Sequence, residues 1–329
     1  MKDIIFHVGH PKCASTTLQN KVFINEPGYL GTAKGMKDNY AKKLQRISPV
    51  GPSISYSKSK AKQWAAEVQD YANQHFPYAN NLIASSEMYA NSNKIKERPI
   101  IPFLKHFADN VWTNGSVKVV MIIRNQFNKI ASGYAQVSNQ NMKASQADFK
   151  RHIKAFIDKN NQHLMYDIWV KELNQALGNE NVCVLLMEDI QSEKFWHQLK
   201  NFCKLDSFDV NSMITEDSNS DSNSNKSTKN TWTLKDFNPE LKANVMVNNF
   251  FGLLWPSSLI PTLRNSSQLK LKQSLNQHYS NKAKALEQTG NQEIELTKEL
   301  KTQLVDYYKS SNVELGRLLN RDLSELGYY

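Results

Sequence analysis

The strongest chemical signal lies near the start of the chain, in Phe6-His-Val-Gly-His-Pro-Lys-Cys-Ala-Ser-Thr-Thr-Leu-Gln19. An apolar, β-branched run enters a short loop of small residues around Lys12, and Ser15, Thr16 and Thr17 then open a helix. Backbone N–H groups at the start of a helix point at any anion placed there, and the helix dipole adds favourable potential. Three hydroxyls and one ammonium add donors and charge. Together they suit a phosphate group. A helix capped by Ser15 or Thr16 accounts for the hydroxyls, but it gives Lys12 no role.

A second constellation is Val119-Val-Met-Ile-Ile-Arg-Asn-Gln-Phe-Asn-Lys-Ile-Ala-Ser-Gly-Tyr134. Arg124 falls just beyond a buried strand, at the carboxyl end, where open α/β sheets bind ligands. Ser132 follows eight residues later, about two helical turns. A guanidinium fork with a hydroxyl suits a second phosphate. The first loop is not a Walker A sequence. Aligned from Gly9, Ala14 takes the place of the second glycine and Ser15 that of the essential lysine. The strand before Arg124 also ends in a cation, where a Walker B strand supplies the Asp that holds Mg²⁺. The pair of sites suits an anion with two phosphates and no metal.

These residues need a frame. Four nearly continuous apolar runs, Ile4–Val8, Leu82–Ala84, Val117–Ile123 and Val182–Met187, read as strands buried on both faces of a parallel sheet. Helical patterns fall at Thr16–Ile24, Ala61–His75, Pro102–Asp109, Asn128–Gln136, Leu164–Leu177 and Glu193–Cys203. This alternation predicts a three-layer α/β/α sandwich with a central parallel sheet, P-loop NTPase-like, with right-handed crossovers. Asp217–Asn230 is almost wholly Ser, Asn, Asp, Lys and Thr and reads as a surface loop. Helices are expected after it at Asn238–Phe250, Gln268–Leu286 and Glu293–Asn320. We read residues 1–329 as one domain, with a donor-binding core over 1–205 and a loop and helical part over 206–329.

The two motifs together resemble the sulfotransferases that use 3′-phosphoadenosine 5′-phosphosulfate (PAPS). Pro11–Leu18 is similar to the family's 5′-phosphosulfate loop, and Arg124-Asn125 through Ser132 and Tyr134 to its 3′-phosphate site. Ile83-Ala-Ser-Ser-Glu87 and Val182–Ile190, with Glu188-Asp189, are similar in style to bacterial members, as is the helix around Tyr307–Leu319. The resemblance implies that Lys12 stabilises the leaving phosphate, and that Cys13, Ala14, Ser15, Thr16 and Thr17 hold it. It implies that Arg124 and Ser132 hold the 3′-phosphate, with Asn225 and Lys226 folding over the donor. PAPS is then the co-substrate and no metal takes part. The acceptor is a hydroxyl, of a carbohydrate or glycolipid, and its base is Glu87, with His10 as the rival. Glu87 as a helix cap or a lysine's partner, and His10 as a plain loop residue, are the structural alternatives. Two departures stand out: Ala14 replaces the family's glycine, so the loop requires Ala14 at negative φ, and Gln126 replaces a proline.

The remaining features narrow the setting. Lys plus Arg is 41 against 31 Asp plus Glu, a net charge of +10. That surplus invites an acidic partner, yet the basic residues are spread along the chain without a tail, which argues against nucleic acid. No stretch approaches the roughly 18 apolar residues of a membrane span. Cys13, Cys183 and Cys203 have no metal spacing and fit a reducing cytoplasm. Cys13, at a helix start beside Lys12, is expected to have a lowered pKa. His7 reads as core and His106 as structural. Trp232 and Trp255 are candidates for an acceptor groove. An ATP-dependent kinase and a non-enzymatic anion- or nucleic-acid-binding protein are the competing readings.

Overall fold

A computed structural model describes residues 2–31, 40, 58–90, 98, 100–113, 115–216, 230–254, 261–285 and 292–329. The main elements, in chain order, are β1 (Asp3–Val8), α1 (Ser15–Thr17), α2 (Lys58–His75), β2 (Asn81–Ser86), α3 (Ile100–Asn110), β3 (Val117–Ile123), α4 (Gln126–Val137), α5 (Gln146–Asp158), α6 (Tyr166–Leu177), β4 (Val182–Leu186), α7 (Glu193–Cys203), α8 (Val210–Glu216), β5 (Thr231–Thr233), α9 (Pro239–Leu254), α10 (Pro261–Ala285), β6 (Glu293–Glu295) and α11 (Lys298–Leu319). They form two compact units interleaved in sequence. The first holds residues 1–129, 157–222 and 302–329; the second holds 130–156 and 223–301.

The first unit is built on a parallel sheet of order β2-β1-β3-β4. Its registers pair Ile5 with Ile83 and with Lys118, and Met121 with Val184. Successive side chains on a strand point to opposite faces, and both faces are covered here. On one, Ile5, Ile83, Val120, Ile122 and Leu185 pack with Leu18, Val22, Phe195, Trp196 and Leu199. On the other, Phe6 meets Phe103 and Phe107 edge-on at 6.2 and 5.8 Å, and Trp64 of α2 meets Phe107 at 5.7 Å. Such burial explains why each strand reads as a nearly continuous apolar run. The expected three-layer parallel α/β architecture is present. Its order places β1 between β2 and β3, so the loops after all three strands open at one edge of the sheet.

The helix expected over Thr16–Ile24 is irregular. One α-helical turn, α1, gives way to a π-helical turn at Leu18–Val22 and a 3₁₀ turn at Phe23–Asn25. The wider turn lets Leu18, Val22 and Phe23 all face the core, and such bulges are frequent beside functional loops.

In the second unit β5 and β6 pair antiparallel, with Trp232 opposite Ile294 and both buried. Glu293–Glu295 therefore forms a strand where a helix was expected. The helix waits for Thr297, whose hydroxyl accepts the N–H of Leu300 at 3.4 Å. Helix α5 was not anticipated, because only Phe149 and Ile153 of its residues are buried apolar groups and the rest read as solvent-facing. In this unit Asp148 accepts from Tyr134 Oη and Asn141 Nδ2, both at 2.7 Å, and burial with that bond pushes the Tyr134 phenol up. The Asp217–Asn230 loop lies almost wholly outside the described residues, as does Trp255.

Candidate functional site

The loop after β1 is tightly curled. Lys12 has φ +70° and Ala14 φ +56°, both in the left-handed region. The expectation of negative φ at Ala14 is thus wrong: the chain takes the conformation glycine favours and keeps the Cβ. Left-handed residues alternating with helical ones are how short loops turn successive N–H groups toward one point. Gly9 matters for space, since a Cβ there would lie 2.8 Å from Ser15 Oγ. Helix α1 begins after Ala14 with no side-chain cap, so Ser15 and Thr16 are not used as caps. Ser15 is buried and its Oγ has no hydrogen-bond partner among the described residues, whereas Thr16 is exposed and Thr17 half-buried. An alanine in left-handed geometry costs about 1 kcal/mol. Ala14→Gly is therefore expected to raise stability by up to about 1 kcal/mol, read as a higher urea midpoint. An unchanged or lower midpoint would contradict the strain.

The loop after β3 comes to the same place. Arg124 Nη1 donates to the carbonyl of Lys12 at 3.4 Å, which joins the two candidate anion loops. The Arg124 carbonyl accepts Tyr166 Oη at 2.9 Å. Asn125 caps α4, its Oδ1 accepting the N–H of Phe127 at 2.9 Å. Its own N–H donates to Glu188 Oε1 at 2.8 Å. Gln126, buried, donates to Asn312 Oδ1 at 2.6 Å; the residue in the family's proline position serves a cross-link instead. Ser132 is buried two turns into α4, in the stretch that belongs to the second unit.

Two groups were given no role in the sequence reading. Lys129 lies at the start of α4, half-buried, and burial pushes its pKa down. It interacts electrostatically with Cys13, Arg124, Glu87 and Lys12. A cation in the first turns opposes the helix dipole, and that local mismatch was the available signal for an anion site. Glu188, just past β4, is pushed up by burial and faces Arg124 electrostatically. The carboxylate of Glu87, at the end of β2, is half-buried and within electrostatic reach of Lys129 and Cys13.

His10 is fully buried. Its ring lies 4.8 Å from His163, 5.5 Å from Tyr166 and 5.4 Å from Trp169, and neither ring nitrogen has a hydrogen-bond partner among the described residues. Burial, then His163 and Lys129, hold it well below the usual histidine range, so it is neutral at pH 7. Cys13 is also buried, and burial pushes its thiol up to about 12. The expected lowering by Lys12 and the helix start loses to desolvation. Asn225 and Lys226 lie outside the described residues. A cleft of about 1150 Å³ runs along the outer edge of β4, but none of Lys12, Glu87 or Arg124 lines it. Among the described residues no cluster of His, Cys, Asp and Glu could hold a metal ion, and no helix is long and apolar enough to cross a membrane.

No protein-family model and no curated protein matches the chain significantly. Among solved structures, the sulfotransferase from Alicyclobacillus acidocaldarius aligns over 99% of both chains with a TM-score of 0.50 and 13% identity. The chain therefore has the sulfotransferase fold. The sulfotransferase domain of the Synechococcus PCC 7002 olefin synthase aligns over 85% of this chain and 94% of its own, at TM-score 0.37 and 14% identity. A sulfotransferase domain from the curacin biosynthetic pathway covers 64% of this chain and 76% of its own, at TM-score 0.35 and 12% identity.

Proposed function

We propose that this protein transfers a sulfuryl group from PAPS to an acceptor hydroxyl, on a carbohydrate or glycolipid. The observation that carries the reading is the meeting of the two loops: Arg124 bonded to the Lys12 carbonyl, with Lys129 beside them. The residues fit a bisphosphorylated donor. Three cations converge, and the buried Ser15 Oγ needs an acceptor that the described residues do not provide. Lys12, Ser15, Thr16, Thr17 and the backbone of Cys13 and Ala14 would hold the 5′ side, and Arg124 the 3′-phosphate, with Ser132, Asn225 and Lys226 as its proposed further contacts. When bound, the donor supplies the sulfuryl group.

The chain's own part is positioning and charge. Lys12 puts an ammonium where negative charge develops on the departing oxygen, and groups fixed beforehand need no reorganisation there. Glu87 accepts the acceptor's proton; its half-buried place leaves it open to substrate, whereas His10 is closed off. An ATP kinase reading is weaker because Ser15 stands where its lysine would be.

The test is binding. Titration with 3′-phosphoadenosine 5′-phosphate is expected to raise the melting temperature, and Arg124→Ala to abolish most of that rise. No rise with the unaltered protein, or tighter binding of Mg²⁺-ATP, sinks the donor assignment. Mass-shift sulfation of a glycan panel, with Glu87→Gln as control, tests acceptor and base together.

A further inference from the structure

Residues far along the chain hold the Arg124 loop in shape. Beyond α11, a 3₁₀ turn at Ser324–Leu326 leads into Gly327, Tyr328 and Tyr329. Asn125 Nδ2 donates to the carbonyl of Gly327, and lies 3.4 Å from that of Leu326. Tyr328, buried, donates its hydroxyl to Glu188 Oε2 at 3.0 Å. The other oxygen of Glu188 is the one that takes the Asn125 N–H. The ring of Tyr329 stacks on Phe127, 6.3 Å between centroids and 15° from parallel. Its carbonyl accepts Asn312 Nδ2 at 3.1 Å, and Asn312 also binds Gln126. Gly327 has φ +82°, and a Cβ there would sit 2.6 Å from Asn125 Nδ2.

Asn125, Gln126 and Phe127 are thus each gripped directly or through one intermediary. Arg124 precedes them and reaches the other loop. Every contact is to the backbone or side chains around Arg124, so the segment acts on Arg124 by fixing the peptide that carries it. Tyr328 and Asn125 also engage both oxygens of Glu188, which steers that carboxylate at the loop's N–H.

We propose that Gly327–Tyr329 is a clasp that positions the Arg124 loop and thereby sets the preference for adenosine nucleotides bearing a 3′-phosphate over those lacking it. This rests on the donor reading above. Tyr328 and Tyr329 are positioning residues.

The experiment compares the full chain with Tyr328→Phe and Tyr329→Ala by calorimetric titration. The probes are 3′-phosphoadenosine 5′-phosphate and adenosine 5′-monophosphate. Tyr328→Phe is expected to weaken the bisphosphate about tenfold, the loss of one hydrogen bond to a charged group, and the monophosphate less than twofold. Amide exchange of residues 125–129, measured without ligand, is expected to rise in both variants. Equal weakening of both nucleotides, or unchanged binding, overturns the selectivity role. Unchanged amide exchange overturns the clasp itself. If the unaltered protein binds neither nucleotide, the donor reading falls and selectivity with it, while amide exchange still decides whether the clasp holds the loop.

Discussion

Lys12→Ala is expected to lower kcat for sulfuryl transfer about 10²- to 10³-fold, the usual cost of removing one preorganised donor from developing charge. The effect should fall on kcat more than on affinity for 3′-phosphoadenosine 5′-phosphate, because in the proposed donor site Arg124 and Lys129 would still attract the nucleotide. Alanine preserves the local fold: Lys12 already sits at positive φ with a Cβ, so the substitution adds no backbone strain. Lys12→Arg keeps the charge but spreads it over a planar fork, and should recover only part of the rate. Single-turnover sulfation followed by mass shift separates chemistry from release. A Lys12→Ala rate within threefold of the unaltered protein would remove Lys12 from the transition state.

Mild acid is expected to destabilise the first unit before its carboxylates titrate in the usual range. His7 and His163 are buried, and burial pushes each down to about 4; His10 is lowered as well. Their folded pKa lies below the unfolded value of 6.5, so the unfolded chain binds more protons between those limits. Stability is then full above pH 6.5 and falls as pH drops toward 4. Each of the two histidines contributes a slope of about 1.4 kcal/mol per pH unit there. Glu26 and Glu188, raised by burial, act in the opposite sense and offset part of this loss. Urea midpoints at pH 7.5 and 5.0 test the balance, with a clear drop expected. His163→Phe should flatten the profile while keeping the Trp169 Nε1 bond, which goes to the backbone carbonyl of residue 163. A flat curve in the unaltered protein would contradict it.

The strands were legible because burial on both faces leaves few polar positions to interrupt them; Val117–Ile123 was read to the residue, with only Lys118 breaking its apolar run. Both candidate anion loops stood out in the sequence because each is local, a few residues at a strand end. The shape of the first was not. Alanine seldom adopts the left-handed conformation, so its residue type gave no sign of φ +56° at Ala14. Lys129 was hidden because a helical lysine usually faces water. The contacts of Tyr328 with Glu188 were out of reach for another reason: they join residues 140 apart, and nothing in the local pattern of either announces the other.

That separation bears on how the protein is born. Asn125 and Gly327, bonded in the folded chain, are 202 residues apart. A ribosome adding roughly 5–20 residues per second exposes the Arg124 segment about 10–40 s before the residues that grip it. Through that interval β1, β2 and β3 can pair, and Tyr166 and Glu188 can reach the loop, before residues 327–329 add their grip. On the clasp reading, the nascent chain would acquire its sheet before residues 327–329 could hold the Arg124 loop, and a ribosome stalled before residue 327 would carry that sheet without its clasp.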